Sequence, residues 1–373
     1  MNVSESKNVC SKTGKRKIII KIVAMSLLVT VLLFVINDVF NYPNSSLYVM
    51  RNHTYKNLPK NSVDCVYLGS SVVDRSWAAP EAFNKYGMTV FPYSSDAMPC
   101  VLYKYAMKEA AKTQNPKLWI FDIKGFVNDP TKDGQAEKVR RVTDIWPISE
   151  NKIEALNYSF NYLKQNDDFE FEPSWYLPFI KYHTRWDWTD NDVVPLSHED
   201  FLNTSAKYMG TYASKENTAL SSKQKKPIIT GKSTKINKNS ETVLRDFLDY
   251  LKQKNYEVLF VSSPSAIDSK DIEEYRYIFN VIKSYGFNCL DFNTNEMYSE
   301  LNLDFGNDFY DSRHLNIYGM LKYTDYLSEY LNSNYDLPDR RNNENYSEWK
   351  ESYEEFSEFR NKYISKLKGT WES

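Results

Sequence analysis

The chain has 373 residues, of which 42% are hydrophobic and 15% aromatic, so it can build a sizeable core and is not globally disordered. Its length suits one large α/β domain with an insertion. The formal net charge of -2 gives no electrostatic basis for binding nucleic acid, and we exclude that class of function.

The first feature in chain order is an apolar segment behind a basic one. The basic residues are Lys7, Lys12, Lys15, Arg16, Lys17 and Lys21. The apolar run covers residues 22–40, and about 19 residues at about 1.5 Å each span roughly a bilayer core. We predict an uncleaved transmembrane signal anchor, with residues 1–21 as a cytoplasmic tail and the rest of the chain outside the cell. A cleaved signal peptide is the alternative, but Asn41-Tyr42-Pro43-Asn44 does not resemble a cleavage site.

After a polar linker over residues 41–62, short apolar runs alternate with segments of helical spacing over residues 63–332. The predicted strands are Val63–Leu68, Met88–Tyr93, Lys117–Ile123, Glu257–Ser262 and Asn288–Phe292. This alternation predicts an α/β domain in three layers, with a doubly wound, parallel, five-stranded sheet.

Residues 133–238 interrupt the alternation with a polar, aromatic-rich stretch, which we interpret as an insertion that caps a site. Its densest aromatic cluster contains His183, Arg185 and Trp186, which are candidate substrate-binding residues. A lone histidine in such a cluster is more often structural. Residues 333–373 are predicted to form an amphipathic extension that packs back on the domain, with a partner-binding helix as the alternative. His53 and His198 receive no role.

Two short motifs carry chemistry. Gly69-Ser70-Ser71 ends the first predicted strand, and Asp311 and His314 precede the last predicted helix. Because the carboxyl ends of parallel strands share one edge of a sheet, the fold can bring these residues together. A serine attacks only when a base accepts its proton, and a carboxylate orients that base. Alternatively, Asp311 caps the last helix and His314 is a surface residue.

With these motifs the chain resembles the SGNH, or GDSL-type, hydrolase superfamily, which has a flavodoxin-like fold. The resemblance covers residues 63–128 and 241–331. It implies that Ser71 is the nucleophile, that Ser70 replaces the aspartate of Gly-Asp-Ser, and that Asp311 and His314 are the acid and the base. The membrane anchor resembles the branch that contains the D-alanyl transfer protein of teichoic acid synthesis and the extracellular O-acetyltransferases of bacterial polysaccharides.

The middle motifs of that family are less clear in this chain. The glycine that helps form the family's oxyanion hole has no clear equivalent, and Ser95 or Asp96 occupies its region. Asn128 is the candidate for the family's asparagine, although its stretch also reads as an ordinary loop. These three residues are the candidate oxyanion donors.

The resemblance implies extracytoplasmic acyl transfer through an acyl-serine intermediate. The acceptor would be a cell-surface polysaccharide or a teichoic acid, and a membrane-bound O-acyltransferase would supply the acyl group. An extracellular esterase or deacetylase, and a non-catalytic assembly factor with this fold, are the alternatives. The cysteine spacings do not predict a metal site, and we expect no cofactor. Cys65 and Cys100 can pair or remain buried thiols.

Overall fold

The computed structural model describes residues 4–40, 47–182, 206–213 and 224–371. The strands are β1 (Cys65–Gly69), β2 (Val90–Ser94), β3 (Leu118–Asp122), β4 (Val258–Ser262) and β5 (Asn288–Asp291). The helices are α1 (Ser4–Phe40), α2 (Leu47–Asn57), α3 (Ser71–Ser76), α4 (Ala79–Tyr86), α5 (Tyr103–Ala110), α6 (Gln135–Thr143), α7 (Glu150–Leu163), α8 (Phe179–Tyr182), α9 (Lys238–Lys254), α10 (Ser269–Ser284), α11 (Asn295–Glu300), α12 (Ile317–Asn334) and α13 (Ser347–Trp371).

The strands form one sheet in the order β2-β1-β3-β4-β5, and every neighbouring pair is parallel. The predicted parallel sheet of five strands is therefore confirmed. Strands β1 to β4 are buried along their whole length, which is why they read as continuous apolar runs. Cys65 in β1 and Cys100 after β2 are buried free thiols and do not pair.

Strand β2 lies at the edge of the sheet and contains Pro92, which pairs in register with Tyr67 of β1. Proline has no backbone N–H to donate, so it is found in edge strands and not in central ones. The position of Pro92 thus agrees with the place of β2 in the strand order.

The helices pack in two groups. Helices α3 and α4 contact β2, and both α12 and α13 lie against α4. Trp349 and Phe356 of α13 are buried, so the C-terminal extension packs on the domain. In the second group, α5 contacts β1, and α7 and α9 contact α5.

The predicted insertion at 133–238 contains regular structure that we did not expect. Helices α6 and α7 pack on each other, and Val139, Trp146 and Leu156 belong to the main core. Arg140 of α6 lies 3.9 Å from the ring centre of Trp175. Apolar residues occupy only one narrow face of α6 and charged residues fill the rest, which hid its periodicity. That the insertion caps a site remains a prediction.

The predicted linker at 41–62 is wrong over part of its length, because residues 47–57 form α2. This helix contacts β2, and Tyr48, Arg51 and Tyr55 are buried. The three side chains recur at spacings of about one helical turn and therefore share one face. The hydroxyl of Tyr48 accepts a hydrogen bond from the Trp146 indole at 2.9 Å.

Helix α1 contains a candidate membrane-spanning segment of 24 residues, Gly14–Asn37, whose most apolar stretch has a mean hydropathy of 2.8. The segment is long and apolar enough to cross a bilayer, a property that signal sequences share. Asn37 at its end is buried, and its side-chain oxygen accepts a hydrogen bond from the Phe179 amide at 3.4 Å. An N-terminal helix of transmembrane length is confirmed, and its orientation remains a prediction.

A buried ion pair ties α2 to α3 and to the end of β2. Nη2 of Arg51 lies 2.8 Å from Oδ2 of Asp74, and both side chains are at most 2% exposed. The other carboxylate oxygen of Asp74 accepts a hydrogen bond from the Ser94 hydroxyl at 2.7 Å. Arg51 also donates to the carbonyl of Ser94. Both carboxylate oxygens of Asp74 and both terminal nitrogens of Arg51 therefore have a partner, which buried charges require.

Replacing Arg51 with methionine leaves the buried Asp74 carboxylate without its cation. We expect Arg51→Met to lower the free energy of unfolding by about 3–5 kcal/mol, the usual cost of removing one partner of a buried pair. Urea unfolding of the detergent-solubilised chain, followed by tryptophan fluorescence, measures this change.

Arg341→Met is the matched control. Arg341 pairs with Asp339 at 2.6 Å, but both side chains are 44% exposed, so its loss should cost less than about 1 kcal/mol. Equal effects of the two substitutions would contradict a structural role for the buried pair.

Candidate active site

The site begins at the turn between β1 and α3. Strand β1 ends at Gly69, Ser70 is extended, and Ser71 is the first residue of α3. A Cβ atom on Gly69 would lie 2.7 Å from Cγ2 of Val73 and 2.9 Å from Cβ of Asp122. Only glycine fits there without moving its neighbours, so this tight turn presents Ser71 at the carboxyl edge of the sheet.

His314 reaches the site from the loop before α12. The loop is held closed by a bridge between Phe309 and Leu315 and by a 2.9 Å hydrogen bond from the Tyr310 amide to the His314 carbonyl. The imidazole Nε2 lies 2.9 Å from Oγ of Ser71. The structure thus brings together two side chains that lie 243 positions apart in the chain.

Asp311 holds the other nitrogen of the imidazole. Its carboxylate oxygens lie 2.9 and 3.0 Å from Nδ1 of His314. Because an ionised carboxylate only accepts hydrogen bonds, Nδ1 carries the proton in this contact. In the neutral ring Nε2 is then an acceptor for the Ser71 hydroxyl, which is the arrangement that a general base needs.

The backbone of the loop also orients Asp311. One carboxylate oxygen accepts the amide hydrogens of Arg313 and His314 at 2.7 and 2.9 Å. Partial burial alone would raise the pKa of Asp311, but the hydrogen bonds and the His314 charge together lower it to about 2. Helix α12 is capped by Asn316, which accepts from the Tyr318 and Gly319 amides. The alternative that Asp311 caps this helix is therefore wrong.

The predicted oxyanion donors are less well placed than Ser71 and His314. The Ser95 amide donates to the carbonyl of Gly69 at 3.3 Å, so it is already used at the end of the sheet. The Ser95 hydroxyl and one Asp96 carboxylate oxygen are buried and have no hydrogen-bond partner within the described part of the chain. Asn128 is exposed, and its carbonyl accepts from Ser240 at 2.9 Å.

The candidate substrate-binding residues His183, Arg185 and Trp186 lie outside the described residues, as does His198. His53 lies in α2. In the described ranges, no group of three or more His, Cys, Asp or Glu side chains is arranged to hold a metal ion.

A buried carboxylate that we did not predict lies beside the turn at Gly69. Asp122 ends β3 and is fully buried. One of its oxygens accepts from the Lys124 amide at 2.8 Å, and the other accepts from the amide and hydroxyl of Ser263 at 3.2 and 3.1 Å. Burial raises the pKa of Asp122 despite these partners. The sequence signal was an acidic residue at the end of an otherwise apolar strand.

Comparisons with known proteins do not assign the chain to a family. No protein-family model and no curated protein matches it. The chemistry that the site supports therefore follows from the geometry of Ser71, His314 and Asp311.

The pKa of Asp311 predicts an acid-dependent part of the stability. An unfolded aspartate has a pKa of about 3.9, and Asp311 has a folded-state pKa of about 2. Because the folded value is lower, the ionised carboxylate stabilises the folded state above about pH 4, and this contribution is lost as the pH falls to about 2. We expect Asp311→Asn to reduce the loss of stability over that range, measured by urea unfolding at several pH values. An unchanged pH dependence in the variant would contradict the assignment.

Proposed function

We propose that the chain is an extracytoplasmic serine acyltransferase of SGNH type that O-acylates a cell-surface polysaccharide or a teichoic acid. The observation that carries the proposal is the continuous hydrogen-bonded chain from Ser71 through His314 to Asp311, with both contacts at 2.9 Å. This geometry is that of an activated serine nucleophile with an oriented base.

In the first half of the reaction, Oγ of Ser71 bonds to the carbonyl carbon of the acyl donor while its proton passes to Nε2 of His314. The carbonyl electron pair moves onto oxygen and forms a tetrahedral intermediate. The backbone amide of Ser71 stands at the start of α3, where a helix supplies no carbonyl partner, and it donates to that oxygen. The bond to the leaving group then breaks, and His314 returns the proton to the leaving group.

In the second half, a hydroxyl of the acceptor polymer replaces the leaving group. The oxygen of that hydroxyl bonds to the acyl carbon, and His314 takes the proton that the hydroxyl loses. The bond between the acyl carbon and Ser71 then breaks, and the proton returns to Oγ. If water entered instead of the polymer, the same steps would give hydrolysis, so exclusion of water decides between transferase and esterase.

The fold supports an SGNH-type assignment. The strand order is that of flavodoxin-like, doubly wound sheets, whose ligands bind outside the carboxyl ends of the strands. The serine follows the first strand, and the Asp311 and His314 pair precedes α12, as the resemblance implies. Arg141 of α6 donates to the carbonyl of Asp96 at 2.9 Å, which joins the insertion to the loop after β2 and favours a cap over this edge.

The apolar helix favours transfer over hydrolysis. The basic residues before its apolar segment would stay in the cytoplasm, which leaves the domain outside. An acyl group exported through the membrane would then reach a tethered enzyme directly. A membrane-bound O-acyltransferase is the partner that suits this arrangement, and the chain itself would need no cofactor.

A fluorophosphonate probe tests the nucleophile, because it reacts only with an activated serine. We expect the full-length chain to be labelled, and we expect Ser71→Ala and His314→Ala to lower the labelling rate by about 10³-fold or more. Ser70→Ala is the matched control, since it removes the neighbouring hydroxyl and should retain labelling. Intact-mass spectrometry measures each rate. Equal labelling of wild type and Ser71→Ala would point to a non-catalytic assembly factor.

A second assay separates transfer from hydrolysis. Unlabelled full-length enzyme is given an activated acetyl ester with and without a cell-wall oligosaccharide. Acetyl ester formed on the oligosaccharide supports the transferase, and release of free acetate at the same rate in both reactions supports the esterase.

A further inference from the structure

Lys124 is a buried cation at the carboxyl edge of the sheet, and its ammonium group has no partner in the part of the chain that the structure describes. It lies in the turn Ile123–Val127 that follows β3, and the residue is 8% exposed. Its Nζ is buried and has no hydrogen-bond partner among the described residues. Burial of an ammonium group is costly unless the charge is paired. A buried ammonium group with no hydrogen-bond partner among the described residues therefore needs an explanation.

The carboxylates around Lys124 form hydrogen bonds or ion pairs with other groups. Asp122 accepts from the Lys124 backbone and from Ser263. Asp311 holds His314, and Asp271 lies 3.5 Å from the guanidinium of Arg313. None of these carboxylates forms an ion pair with Nζ of Lys124.

The same groups set the charge state of Lys124. Burial lowers its pKa to about 8; Asp122, Asp311 and Asp271 act to raise it, and Arg313 acts to lower it. The phenol of Tyr103, from α5, lies against the neighbouring Gly125. Lys124 is therefore largely protonated at neutral pH and loses its proton in mildly alkaline solution.

Lys124 lies on the same edge of the sheet as Ser71. Asp122, two residues before it, packs against Gly69, since a Cβ on that glycine would lie 2.9 Å from Cβ of Asp122. The negative charge of Asp311 also acts to raise the pKa of Lys124. The cation thus belongs to the loops that surround the Ser71 and His314 pair.

We propose that the Lys124 ammonium donates a hydrogen bond to the acyl oxygen that becomes negatively charged when Ser71 attacks. This inference rests on the proposed function and adds an oxyanion donor to it. The carbonyl electron pair moves onto oxygen, Nζ–H donates to that oxygen without giving up its proton, and the carbonyl re-forms when the leaving group departs. The developing negative charge is the partner that the buried cation lacks. Lys124 would act together with the Ser71 amide, since the Ser95 amide already bonds to the carbonyl of Gly69.

The test measures fluorophosphonate labelling of the full-length chain across the neutral and alkaline range. The phosphoryl oxygen of the probe develops negative charge in the same position as the acyl oxygen. We expect Lys124→Met to lower the rate constant by about 10²- to 10³-fold, the usual effect of losing one oxyanion donor. We also expect the wild-type rate to fall above about pH 8, where Lys124 loses its proton.

Lys117→Met is the matched control, because Lys117 precedes the opposite end of β3 and bonds to exposed Asp336. It should leave both the rate and its pH profile unchanged. Lys124→Arg keeps the positive charge at high pH, so its alkaline decline should shift to higher pH. A purely structural lysine would not produce that shift.

The outcomes are distinct. Labelling of folded Lys124→Met at the wild-type rate would overturn the inference and leave the proposed function standing. If that variant does not fold, an unshifted alkaline decline in Lys124→Arg overturns the inference. Wild type that is not labelled, or is labelled equally with Ser71→Ala, overturns the proposed function and this inference together.

Discussion

The parallel register of the central strands decides where polar chemistry can lie in this domain. Gly69 pairs with Ser94 of β2, and Leu68 pairs with Phe121 of β3, so the strands finish at nearly the same level. Their interiors are fully buried and apolar, which leaves polar side chains only at the ends. Ser71 and Asp122 therefore share one edge, and the loop before α12 can deliver His314 to it.

Three carboxylates, those of Asp74, Asp122 and Asp311, lie near that edge, and each is stabilised by different partners. Asp74 has a buried arginine, Asp122 has backbone amides and a hydroxyl, and Asp311 has an imidazole and two amides. The pKa of Asp311 is lowered to about 2, whereas burial raises the pKa of Asp74 and Asp122. Only the partly exposed Asp311 contacts His314, so the most strongly ionised of the three orients the base.

Much of the scaffold could be predicted from the sequence, because buried parallel strands appear in it as continuous apolar runs. Each predicted strand agreed with the structure to within about two residues. The pairing of Ser71 with His314 was also accessible, since a glycine turn and an Asp-x-x-His motif bracket the sheet in the chain.

Other features were not accessible, for physical reasons. Helix α2 was hidden because most of its buried residues are tyrosines, an arginine and an asparagine, with Val49 as the buried aliphatic residue. The partner of Arg51 is a carboxylate on α3, and a local pattern does not reveal contacts between distant segments. Lys124, in the stretch Ile-Lys-Gly, reads as an ordinary surface lysine. Only the packing of the turn after β3 shows that it is buried.

Pro92 has a consequence beyond the fold of a single chain. An edge strand normally offers free N–H groups with which a strand of another molecule can pair, and such pairing leads to aggregation. A proline in the middle of β2 removes one of those donors, and α2 packs on the same strand. A new strand added along β2 would lack one hydrogen-bond donor at Pro92, so this edge of the sheet is a poorer template for intermolecular growth.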